Sequence, residues 1–181
     1  MSYSREEAVA SLHAVETMER RATTLRAYEE GAPYFFLWGT IWIVGYSTSD
    51  IYPQLAGLIW LVLNVVGIST GLFISRGVHI HGASKSRYLA VMMSAVGFAG
   101  ATYFVMEPTS AKQLHAFPAL LVSFLYILAG IQRGVRFVIT GLLLAGSTLL
   151  GFAFVQEHFA LWMAVVGGVT LFLTGFWMRR I

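Results

Sequence analysis

The sequence predicts an all-α integral membrane protein: a bundle of six transmembrane helices preceded by a cytoplasmic amphipathic helix. Three observations carry that prediction. Of the 181 residues, 57% are hydrophobic and only 12% charged, and the mean hydropathy is +0.69; in a water-soluble domain about a quarter of residues are charged. Six runs, roughly 33–49, 53–75, 88–106, 115–132, 137–155 and 159–178, hold no Lys, Arg, Asp or Glu, and each has about the length that crosses hydrocarbon. The runs are continuously apolar where barrel strands would alternate, and only a helix or a closed barrel satisfies its own backbone in lipid.

The chain begins with its one extended polar segment. Ser4-Arg5-Glu6-Glu7 has the spacing of a capping box, in which Ser4 accepts from the Glu7 amide and the Glu7 side chain returns to the Ser4 amide. Ala8, Leu12, Val15, Met18, Ala22, Leu25 and Tyr28 follow three or four apart, which gathers them on one helical face, with Glu16 and Arg20 paired one turn apart on the solvated side. Residues 1–30 therefore form a cytoplasmic amphipathic helix, and residues 31–181 the six-span bundle. Three covers suit the apolar stripe: the bundle's own cytoplasmic face, the lipid headgroup layer, or another protein chain. The near-balanced charge of the polar face favours protein over anionic lipid. Leu12, Val15, Met18, Ala22 and Leu25 are thus candidate partner-binding residues, for a protein partner or a second copy of the chain.

Pro33, Pro53 and Pro118 fall in the opening turns of runs one, two and four, where a missing amide donor costs little, and Pro108 follows run three. Run two contains Gly67-Ile68-Ser69-Thr70-Gly71. As Gly-x-Ser-x-Gly it would be the elbow of a serine hydrolase, but an elbow joins a strand to a helix, and here the motif lies inside a spanning run. As Gly-x-x-x-Gly it is a surface for close helix packing, and Ser69 is expected to share in that packing. The same spacing recurs at Gly97 and Ala101, at Gly141 and Ala145, and at Ser147 and Gly151, each serving either packing within the chain or an oligomer interface. Asn64 is the one amide deep within a run; it calls for a partner in hydrocarbon, as interhelical glue or as a substrate contact.

Orientation follows from Lys and Arg. Arg20, Arg21 and Arg26 precede run one; Arg76, Lys85 and Arg87 join runs two and three; Arg133 and Arg136 join four and five; Arg179 and Arg180 end the chain. The opposite connections hold only Lys112, so the positive-inside rule places both termini in the cytoplasm of a bacterial-type inner membrane. No cleaved signal peptide is expected, since the polar start lacks an apolar core. The excess of basic residues (net +3) is explained by topology, and no nucleic-acid partner is expected. Trp38, Trp60, Trp162, Trp177, Tyr34, Tyr52 and Tyr88 near the run ends suit the headgroup layer. Even runs closing on arginine, and odd runs closing near Asp50, Glu107 and Glu157, would also arise from three helical hairpins repeated along the chain.

Chemistry is sparse. The absence of cysteine excludes iron–sulfur clusters, c-type haem attachment and zinc thiolates. No carboxylate or lysine lies at mid-span, where proton-coupled pumps and charged-substrate paths place them. On the outer side, Glu107, His115, Glu157 and His158 are weak metal candidates, since imidazole and carboxylate suit zinc and related ions; the loop pair His79 and His81 is a weaker one. No cofactor is expected. Two functional expectations follow. One is a non-enzymatic membrane protein, a regulatory or scaffold subunit acting through contacts of its N-terminal helix. The other is a small channel or transporter for a neutral or hydrophobic solute, lined by hydroxyls and Asn64.

Overall fold

A computed structural model describes residues 5–77 and 83–180. Among them every regular element is helical: α1 (Arg5–Ile51), a short 3-10 turn (Pro53–Leu55), α2 (Ala56–Gly77), α3 (Ala83–Met106), α4 (Ala111–Arg133), α5 (Val135–Phe154) and α6 (Phe159–Arg179), whose stretch Met163–Gly168 has π-helical geometry. Five helices, α2 to α6, are long and apolar enough to cross a membrane, and the chain folds as a multi-pass helical bundle. The first of the six expected spans, 33–49, differs from the others. It is the lower part of α1 and is less apolar than the rest, because Tyr34, Trp38, Gly39, Thr40, Trp42, Gly45, Tyr46, Thr48 and Ser49 contribute little hydropathy.

The packing of α1 explains that composition. Its buried residues are Tyr28, Ala32, Phe35, Gly39, Ile41, Trp42, Gly45, Tyr46 and Ser49; all but Ile41 and Gly45 follow alternately four and three apart, a seam that those two widen. Against this seam lie Phe137 of α5 (ring centroids 5.8 Å from Tyr28 and 5.7 Å from Phe35), Tyr126 of α4 (4.9 Å from Phe35) and Trp60 of α2 (4.8 Å from Tyr46). α6 makes the closest approach. A Cβ on Gly39 would stand 2.9 Å from the Phe172 amide nitrogen, and one on Gly168 3.1 Å from that of Ile43. Two glycines at the crossing thus let the backbones nearly touch, the close packing that drives association in lipid. Trp38, Trp60 and Trp162 are packed on the core, so these rings face inward more than the headgroup reading of their positions implies.

α4 and α5 form the tightest hairpin, joined by Gly134 alone. Its φ of 131° is open to glycine, and a side chain there would run into Thr24 and Tyr28. α4 opens with a capping box: Ser110 Oγ accepts from the Gln113 amide at 3.2 Å and the Gln113 side chain accepts from the Ser110 amide at 3.3 Å. α2 and α3 stand at the edge, and none of the apolar window of α3 is buried. The principal partnerships, α4 with α5 and α1 with α6, cut across the three consecutive hairpins that a repeat would give. The Ser4–Glu7 capping box and the His79/His81 pair lie outside the described residues.

Candidate functional site

The N-terminal segment expected as a separate helix and the first expected span are one helix. α1 runs unbroken for 47 residues through Pro33, about 70 Å at 1.5 Å per residue, against roughly 30 Å of hydrocarbon. The boundary expected near residue 30 therefore falls in mid-helix. Two contacts mark where α1 joins the bundle. The Arg136 amide donates to the Tyr28 hydroxyl at 3.3 Å, and the Arg136 guanidinium lies over the Tyr28 ring at 4.9 Å. The same guanidinium stacks on Trp177 at 5.2 Å and donates to the carbonyls of Trp177 (2.7 Å) and Arg180 (3.3 Å). It thereby caps the C-terminus of α6 while clamping α1, α5 and α6 together.

Beyond that clamp the helix is an arm. Tyr28 is 5% exposed and Ala32 fully buried, whereas Leu12 is 69% and Met18 70% exposed. Val9, Val15, Ala22 and Leu25 are exposed as well. Met18, Leu25, Ala32, Gly39 and Tyr46 recur every seven residues, so the uncovered face of the arm prolongs the face that is buried below, drifting by only about 20° per heptad. The arm does not fold back on the bundle but continues the line of the buried part of α1. On the polar side Arg20 donates to Glu16 at 2.7 Å and Arg26 pairs with Glu30 at 3.5 Å.

The other sequence candidates lie apart from the arm. Asp50, at the end of α1, meets His158 with Oδ2 and Nδ1 3.2 Å apart, an ion pair when the imidazole is protonated. His115 packs edge-on against Tyr46, centroids 5.6 Å apart, and its carbonyl accepts from the Tyr46 hydroxyl at 2.9 Å. Glu107 and Glu157 are exposed, and among the described residues no group of three or more carboxylate or imidazole side chains could hold a metal ion. Gly67 faces Ile41 and Trp38, Gly71 faces the Tyr88 hydroxyl, and Gly141 faces the Ser123 carbonyl and Ile127. Gly97 has nothing within 4 Å of an added Cβ, Ala101 is exposed and Ala145 half-buried.

Ser69 is exposed, so it takes no part in packing within the chain: the glycines two residues to either side face other helices, and the serine between them turns outward. The Asn64 amide donates to the Trp60 carbonyl of its own helix at 2.8 Å. The buried hydroxyls also bond along their helices, Ser123 to Ala119, Thr140 to Arg136, Thr148 to Leu144 and Thr174 to Thr170. Among the buried serine and threonine hydroxyls of the described residues, only those of Thr140 and Thr174, 3.2 Å apart, meet between helices.

Sequence reasoning missed Arg136, Gly39, Gly168 and the Ser110 cap. Ser110-Ala-Lys-Gln113 and the Gly167-Gly168 pair were readable signals, but the role of Arg136 depends on the meeting of three distant helices. Comparison with known proteins adds nothing to the geometry: no protein-family model, no curated protein and no solved structure is significantly similar to the chain.

Proposed function

We propose that this protein is a non-enzymatic subunit of a bacterial-type inner membrane, regulatory or scaffolding, that acts by presenting the arm of α1 to another protein. In this reading all six runs span the bilayer, 33–49 included, because the aromatic and small residues of that run are spent on helix contacts. Both termini then lie in the cytoplasm with the arginine-bearing end of the bundle, and the arm rises into the cytoplasm.

The observation that carries the reading is the arm itself: an apolar face continuous with the buried seam of α1 and uncovered above Tyr28. Exposed apolar residues within a span are covered by lipid, but an apolar stripe projecting past the bilayer has no such cover. Apolar stripes of this kind are how one helix recognises another.

The substitutions Leu12→Asp and Val15→Asp test it. They place charge on the stripe without touching the bundle, so the variant is expected to insert and purify as the unaltered protein does. Whatever co-purifies with the unaltered protein from its native membrane should be lost. Retention of the same companions by the variant would overturn the reading, and uptake of a neutral solute by proteoliposomes would favour a solute pathway instead.

A further inference from the structure

We infer that the helix recognised by the arm is a different chain with acidic residues flanking its apolar seam, and not a second copy of this protein. The inference rests on the contact reading above and adds the identity of the occupant by its chemistry.

Ser11, Val15, Met18, Ala22 and Leu25 alternate at spacings of four and three, the seam spacing of a helix that pairs with another. Leu12 borders the seam on one side and widens it. The positions flanking such a seam choose the partner by charge. Here they place Arg21 on one side and Glu19 and Arg26 on the other.

Two copies of the chain in one membrane carry their arms in the same direction and at the same height. Only a parallel, in-step pairing is then open to them. In that pairing the flanking residue of one heptad faces the opposite flank of the next. Arg21 of each copy would meet Arg26 of the other, twice over, and Glu19 would meet only Ala14. Like charges so placed disfavour the pair.

The intrahelical ion pairs do not remove the problem. Glu16 is engaged with Arg20 at 2.7 Å, and Glu30, at 3.5 Å, compensates Arg26 only in part, leaving Arg21 as the flanking arginine that a second copy would repel most. No ion pair of Arg21 occurs among the described residues. Arg21, with Arg20, Thr24 and Leu25, lines a shallow recess beside the seam, where an Asp or Glu on an adjacent helix would pair with Arg21.

The test uses the intact chain purified in a mild detergent and two synthetic heptad-repeat helices with identical Leu and Ile seams. One carries Glu at every flanking position and the other Lys, so that neither pairs with itself. The Glu-flanked helix is expected to bind about fivefold more tightly at low salt, the sum of a few exposed charge pairs, and the preference should shrink as salt rises. Arg21→Glu with Arg26→Glu should reverse it. Lys112→Glu, a change of charge at the far end of the bundle, should leave it unaltered.

Equal binding of the two helices, or a Lys preference, would overturn the acidic partner while leaving the arm a contact surface. Binding of neither would overturn it as well, with the co-purification test still deciding the broader reading. A purified dimer that Met18→Asp converts to monomer would show that the second copy is the occupant after all.

Discussion

Gly168 and Gly39 are the residues on which the bundle turns, because they set how near α6 comes to α1. Gly168→Leu is expected to cost more than the roughly 1–3 kcal/mol usual for overpacking, since the added atoms would meet the Ile43 backbone as well as its side chain; loss of a monodisperse elution peak in detergent is the readout. Gly67→Leu should disturb packing less, because Ile41 and Trp38 can repack, and Ser69→Ala should change nothing. Arg136→Ala removes the cap on α6 and two ring contacts. A loss of about 1–3 kcal/mol is expected, seen as a lower unfolding temperature of the purified protein. Glu107 holds a φ of 42° at the end of α3, a left-handed conformation that a side chain resists, so Glu107→Gly should raise the same temperature slightly.

At the scale of the element, α1 shows both the reach and the limit of reading a sequence by period. The stripe from Leu12 to Tyr28 and the apolar run from Pro33 onward were each legible, one by its spacing and the other by its length. Their union was not, because Pro33 and the change from polar to apolar composition look like a boundary. Proline within the first turn of a span and proline inside a longer helix leave the same trace in the sequence. Helix positions in lipid were legible because the solvent fixes their length. Partnerships between helices were not, since every span is apolar all round and period alone does not say which face meets which neighbour. Gly67, Gly71 and Gly141 do face other helices while Gly97 faces none, although the four share one spacing signal. The helical arm also yields a prediction of its own. Leu12→Pro breaks the arm in exposed helix, at about 3 kcal/mol against helix formation there, and is expected to leave the unfolding temperature of the bundle unchanged. A lowered temperature would mean that the arm is packed on something within the chain.

The whole molecule is asymmetric across the bilayer that its spans imply. Arg133, Arg136, Arg179 and the arm lie at one end, and the Asp50–His158 contact and the Ser110 cap at the other. Because the chain contains no cysteine, single cysteines report topology directly. With both termini inside, Gln54→Cys is expected to react with a membrane-impermeant maleimide in intact cells, and Arg20→Cys only after permeabilisation; equal labelling of both would contradict the six-span arrangement. Cover of the arm by another protein would be read in the rate at which a permeant maleimide labels Met18→Cys in native membranes and in liposomes of the purified protein. Slow labelling is expected in native membranes and fast labelling in liposomes, with Thr17→Cys, exposed on the side away from the seam, fast in both. Fast labelling of Met18→Cys in native membranes would contradict it, and slow labelling in liposomes would mean that lipid or a second copy supplies the cover.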